Sequence, residues 1–347
     1  MAISSVISEV SIRSYRKPLP HVNGSLAGSL ETQVQQDSLL IWLCEKIKKI
    51  VERIISQCFY MSYDPLTIEL AKARTLELIQ KKGAFFLSCK SKENKTIDAL
   101  YIPSKSSQRT GNVIVYTLNT SYQDFHPRHY EHFLASGADV VLWNPTALNS
   151  KQYAGDLTSV LKTLGGEKKI VVRGYCAGVD PVIAAVEGMN NPNIFVILDR
   201  GHGNIFRLAR SFAVFVNLPI INDVLAEKFD CCGERKIQNI RGKILHLAPS
   251  PREDVLMHCG NGRNVTYELH DQHRKVHKTS CYFIQLENSG HWTAHNFSVI
   301  NKIKKFLSVN GIISNPYPLV SEKDFPGGKS PTFFQRNVLP FLAKSWC

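Results

Sequence analysis

The sequence predicts an α/β fold: a mostly parallel eight-stranded sheet flanked by helices, with an N-terminal helical extension and an irregular C-terminal one. Three observations carry this. After Gly83, short apolar runs of strand length alternate with helix-length amphipathic stretches and turn clusters, the rhythm of strands joined by crossovers. The later runs are apolar at consecutive positions, as strands buried on both faces are. Of the 347 residues, 44% are hydrophobic and 20% charged, which is enough apolar material for a buried sheet and excludes bulk disorder.

Strands are expected at Ala84–Cys89, Ile97–Ile102, Asn112–Leu118, Asp139–Trp143, Ile170–Arg173, Asn193–Leu198, Lys243–Leu247 and Cys281–Leu286, the last six continuously buried. Helices are expected at Arg128–Ser136, Tyr153–Leu164, Ala177–Met189, Ile205–Val216 and Ser298–Val309. Two early strands without a helix between them, then a parallel series, describe a sheet with its ligand crevice at the C-terminal strand ends.

Upstream, Leu40, Leu43, Ile47, Ile50, Val51, Ile54 and Ile55 recur at helical spacing among Lys46, Lys48, Lys49, Glu52 and Arg53. This basic amphipathic helix over 39–59 either docks its apolar face on the main domain or lies on an anionic membrane surface. Another helix is expected at Pro65–Lys81. The division is a flexible segment 1–37, a basic helical extension 38–82, an α/β domain 83–310 and a C-terminal extension 311–347 rich in Pro and Gly. Segment 204–230, with Phe206, Leu208, Phe212, Phe215, Val216, Leu218 and Ile220, is either a lid over an acyl pocket or crossover-helix core.

The formal net charge of +13 suits an acidic surface. The basic residues are scattered, however, and no helix-turn-helix, zinc-finger or aromatic RNA-binding pattern accompanies them, so no nucleic acid is expected. Nine cysteines, an odd number without small-scaffold spacing, point to a reducing compartment. No basic-then-apolar secretion signal and no spanning helix is visible. A cytoplasmic location, or export as an effector without such a signal, is the expectation.

Metal and cofactor are expected to be absent. The pair Cys231–Cys232 has no C-x-x-C partner, and His258 with Cys259 makes no zinc pattern. His126, His129 and His132, and likewise His270, His273 and His277, could share helical faces, yet no carboxylate or thiol completes either set; solvated helix faces are expected.

Chemistry concentrates at Gly174-Tyr175-Cys176-Ala177-Gly178, between the apolar run Ile170–Arg173 and a helix-forming stretch. This is the strand-turn-helix setting of a G-x-nucleophile-x-G elbow, whose glycines let a sharp turn close around the reactive side chain. A nucleophile needs a base, and the base an orienting acid, in the chain order nucleophile, acid, histidine. Asp254 lies in the loop after the strand Lys243–Leu247, and His291 in Gly290-His291-Trp292 after the last strand. His291 would take the thiol proton and Asp254 would hold the imidazole tautomer. Glu253 and Asp199 remain alternatives for the acid, and a buried inert thiol remains the bland reading of Cys176. His202 lies near the crevice by topology and could touch substrate, as could Tyr175 and Leu118.

With these residues the chain resembles the α/β-hydrolase superfamily over roughly Phe85 to Val309 and, in its cysteine nucleophile, the dienelactone-hydrolase branch. The stretch Ile197-Leu198-Asp199-Arg200-Gly201 is similar to the segment after the sixth strand in many members. The whole chain, with its basic N-terminal helix, resembles the chlamydial CHLPS-type hydrolases and similar lipase-like effectors of intracellular bacteria. The resemblance implies an oxyanion hole from the Ala177 N–H and that of Asn119, with Leu118 as the alternative. It also implies ester or thioester hydrolysis without a cofactor, on a small-molecule or lipid ester. Two departures stand out. Thr117-Leu118-Asn119-Thr120-Ser121 replaces the usual His-Gly, and β-branched Val179 follows the elbow where a second small residue is common. The first departure supports a rival class, an inactive hydrolase-fold module that binds a ligand or protein.

Overall fold

The computed structural model describes residues 72–118, 127–147, 149–189, 191–203, 233–249, 265–286 and 295–321, together with helical residues 42, 45–46 and 48–49. Its strands are β1 (Phe85–Phe86), β2 (Asp98–Ile102), β3 (Val113–Thr117), β4 (Asp139–Asn144), β5 (Ile170–Tyr175), β6 (Ile194–Asp199), β7 (Ile244–Pro249) and β8 (Cys281–Leu286). They form one eight-stranded sheet in the order β1-β2-β4-β3-β5-β6-β7-β8. The pairs β1–β2 and β2–β4 are antiparallel and all the others parallel. The expected architecture is therefore present.

The α-helices are α1 (Glu131–Leu134), α2 (Ser150–Leu164), α3 (Val179–Glu187), α4 (Gly233–Lys236), α5 (Val265–Val276) and α6 (Phe297–Val309). They cover both faces of the sheet. Apolar residues of α2, α3 and α5, such as Leu157, Val182 and Leu269, pack on one face. Phe133 of α1 and Val299, Ile303 and Leu307 of α6 pack on the other. Strands covered on both sides read as continuous apolar runs, and β3 is the plainest case, with all of Val-Ile-Val-Tyr-Thr buried. Helix starts obey local chemistry. The Asn149 side chain accepts a hydrogen bond from the Gln152 N–H, and that of Asn296 from the Val299 N–H, each at the N-cap of its helix.

At the N-terminal end of β4 the buried Asp139 carboxylate accepts two hydrogen bonds from Arg109, both at 2.8 Å, one from the Ser104 N–H at 2.8 Å, and one from the Tyr101 hydroxyl. Burial alone would raise its pKa; the hydrogen bonds from Arg109, Tyr101 and Ser104 outweigh that and hold it below the usual carboxylate range.

Two expectations need correction. β8 is not continuously buried: it is an edge strand with β7 as its neighbour, and only Leu286 is fully enclosed. The helical face expected for His270 and His273 is that of α5, whose bounds are not legible because Val-Thr-Tyr-Glu-Leu-His-Asp-Gln-His-Arg-Lys-Val has few apolar positions to set a period. His270 and His273 on it are buried, not solvated. The histidines fill the inner face that aliphatic residues would normally mark. The expected helix Ile205–Val216, the segment 204–230 and the tail beyond residue 321 lie outside the described residues. Among the described residues no helix is long and apolar enough to cross a membrane.

Candidate active site

Tyr175 ends β5 in extended conformation, Cys176–Gly178 form one turn of 3-10 helix, and α3 follows at once. Cys176 has φ +53°, the left-handed region that a side chain enters only at a cost of about 1–3 kcal/mol. Such strain persists only where the surroundings impose it, and here they do. A Cβ on Gly178 would lie 2.3 Å from the Thr117 carbonyl oxygen, and one on Gly174 2.8 Å from that of Gly178. The turn therefore closes against the end of β3. Gly178→Ala is expected to push β3 and the elbow apart, lowering any turnover by on the order of 100-fold and stability by a few kcal/mol; a thermal melt alongside an ester assay checks it.

The β-branched Val179 is accommodated from the other side. A Cβ on Gly201 would lie 2.1 Å from Val179 Cγ2, so the glycine after β6 supplies the space that a small residue in α3 would otherwise have left. Ala177 is buried in the first turn, where backbone N–H groups are not consumed by the helix ladder. The Leu118 side chain is in the core, and its carbonyl accepts a hydrogen bond from the Tyr153 hydroxyl of α2. His202 is fully buried, with Nδ1 3.3 Å from Asp180 Oδ2 in the first turn of α3. Asn119, Glu253, Asp254 and His291 lie outside the described residues.

Beside the elbow the structure assembles a network that the sequence did not announce. Asp199 ends β6 opposite Tyr175 in register. Its Oδ2 accepts from Arg173 Nη2 at 2.7 Å and from His295 Nε2 at 2.6 Å. Arg200 Nη2 lies 3.3 Å from His295 Nδ1, and its guanidinium stands 5.9 Å from the Tyr175 ring centre. All four polar residues are buried. Burial pushes the Asp199 carboxyl upward, but His295, Arg200 and Arg173 together pull it far below the usual carboxylate range. Burial first, then the neighbouring arginines, lower His295 to about 4, against the pull of Asp199.

These contacts fix the roles of the ring. An ionised carboxylate only accepts, so His295 Nε2 carries the proton, and Nδ1 presents its lone pair to Arg200. Both nitrogens are engaged, and a guanidinium opposes any further proton. His295 is thus a poor general base and a firm anchor for the approach to α6. The only sequence signal was a second histidine four places after His291, just before the α6 N-cap.

Structural comparison agrees with this architecture. The chain superimposes on the esterase Pf2001 of Pyrococcus furiosus with TM-score 0.52 and 14% identity, covering 67% of this chain and 93% of that one. A second crystal form of the same esterase gives TM-score 0.51 at 14% identity, covering 67% and 92%. No family model matches the sequence, and no curated protein matches it. The sheet order, the strained elbow and this likeness define an α/β-hydrolase fold.

Proposed function

We propose that the protein is an ester or thioester hydrolase of the lipase, carboxylesterase or thioesterase kind, working through a Cys176–His291–Asp254 triad. The observation that carries this is Cys176 itself, a non-glycine residue at φ +53° at the tip between β5 and α3. Cys176 Sγ attacks the substrate carbonyl carbon as His291 takes the thiol proton. The resulting oxyanion is held by the N–H groups of Ala177 and Asn119. The carbon–oxygen or carbon–sulfur bond then breaks, and the leaving group takes the proton from imidazolium, leaving acyl-Cys176. Water, deprotonated by His291, attacks the acyl carbon and releases the acid and the thiol. Asp254 is favoured over Asp199 as orienting acid because Asp199 is already shared by Arg173 and His295; Glu253 is its nearest competitor.

A lipid ester suits the surface. Trp42 on the basic helix is 56% exposed, with the Lys46 ammonium 5.4 Å from its ring centre. An amphipathic aromatic beside a cation fits an anionic membrane interface, whether the protein works in a reducing cytoplasm or is delivered as an effector.

The test is to offer p-nitrophenyl esters and acyl thioesters of graded chain length, with a thiol-directed acyl probe read by peptide mass spectrometry. Turnover with a burst and acylation of Cys176 is the expected result. No turnover with any acyl donor would leave the rival reading, a hydrolase-fold module that only binds. Two variants separate the histidines. His291→Ala is expected to lower kcat by about 10³-fold or more. His295→Gln should lower kcat by no more than about tenfold and leave the pH–rate profile in place. A profile that shifts with His295→Gln would make His295 the base.

A further inference from the structure

A second cluster lies on the other side of β7, away from the elbow. We propose that His246, His273 and Cys281 form a binding site for a thiophilic transition-metal ion, zinc foremost, that clamps α5 to β7 and the edge strand β8. This inference does not depend on the hydrolase reading. His246 sits mid-strand in β7, where its neighbours are Ile244, Leu245, Leu247 and Ala248, all buried. His273 comes from α5 and Cys281 from the start of β8. One ligand atom from each, a ring nitrogen from either histidine and the sulfur, lies within 4.8 Å of the others.

The geometry is that of ligands around an ion. His246 Nε2 and His273 Nδ1 face each other at 3.4 Å, which is long for a hydrogen bond. It matches the edge of a tetrahedron with metal–nitrogen bonds of about 2.0–2.1 Å, which is about 3.3–3.4 Å. A nitrogen–sulfur edge is about 3.5 Å, so the sulfur closes by at most about 1.3 Å on binding. Both histidines are completely enclosed, and among the described residues His246 Nδ1 has no hydrogen-bond partner. As metal ligands the same rings use the lone pairs that face each other. The Ile240 carbonyl beside His273 is a ready acceptor for the ring N–H that ligation fixes.

The Cys281 thiol donates weakly to the His270 carbonyl at 3.9 Å. Binding replaces its proton with metal: one M²⁺ enters, one H⁺ leaves to solvent, and nothing is oxidised or reduced. Two imidazoles and a thiolate suit zinc or a copper ion, and not magnesium or calcium. The fourth position falls to water at the partly open β8 edge. The sequence expectation that no thiol completes a histidine set therefore does not hold for His273, because Cys281 comes from the next strand and His246 from the strand before.

The test uses the full chain, stripped with chelator and titrated with Co²⁺ and then Zn²⁺. Expected are one equivalent bound, a sulfur-to-cobalt charge-transfer band with tetrahedral visible bands, displacement by zinc, and a higher Tm with zinc. Cys281→Ser, at a partly exposed edge position, should abolish the charge-transfer band and weaken zinc on the order of 100-fold. His273→Gln should do the same to affinity, and its circular dichroism spectrum reports whether it folds. Absence of saturable binding, or a band that survives Cys281→Ser and so belongs to another cysteine, would overturn the site.

Discussion

Replacing Cys176 with alanine is expected to abolish ester turnover, lowering kcat by about 10⁴-fold or more, with circular dichroism unchanged. Alanine keeps the Cβ, and so keeps the backbone strain at φ +53° while deleting only the sulfur. Cys176→Gly removes the strain as well. The glycine variant should be equally inactive yet more stable than the alanine one by about 1 kcal/mol, which is a Tm difference of roughly 2–4 °C for a domain of this size. The pair separates chemistry from conformation. An alanine variant that still turns over the same ester would remove the nucleophile, and glycine and alanine variants of equal stability would mean that the elbow stores nothing.

The elbow was legible because it is local: five residues, flanked by a strand and a helix, contain all of its geometry. Strands β3, β5, β6 and β7 were legible for a similar reason, since burial on both faces writes itself as a mostly apolar run, interrupted in β5 by Arg173 and in β7 by His246. What could not be read is what three elements make together. The Asp199 network takes Arg173 from β5, Asp199 and Arg200 from the end of β6, and His295 from the approach to α6. Asp199 stands out as a candidate acid, but Arg173 and His295 look like ordinary polar residues until register puts Tyr175 opposite Asp199. The same holds for His246 in an Ile-Leu-His-Leu-Ala strand, whose oddity is visible in the sequence but whose partners are not. The bounds of helix α5 escaped because its inner face is marked by His270 and His273, which a hydrophobic pattern does not count.

Asp199→Asn is expected to be the most destabilising single substitution among the described residues, costing about 3–5 kcal/mol and roughly 10 °C in Tm. The amide would leave Arg173 and Arg200, both buried, without the carboxylate that lies 2.7 Å and 3.8 Å from them. It would also replace an acceptor-only oxygen, shared by Arg173 and His295, with a group that must donate from one side. His295 contributes one part of the pH dependence. Its folded-state pKa is lowered to about 4, against about 6.5 in the unfolded chain, so the folded protein resists protonating it. That contribution is fully present above about pH 6.5 and is lost as the pH falls toward 4; it amounts to about 3 kcal/mol at neutral pH. Asp199, held far below the usual carboxylate range, keeps its charge throughout this window and yields only in stronger acid. Urea titrations at pH 7 and pH 5 should therefore show the protein weakening between them, with His295→Gln reducing the slope by one proton's worth and the buried His246, His270 and His273 keeping the rest. A midpoint unmoved by Asp199→Asn would mean that the two guanidiniums are solvated and that the network adds nothing to stability.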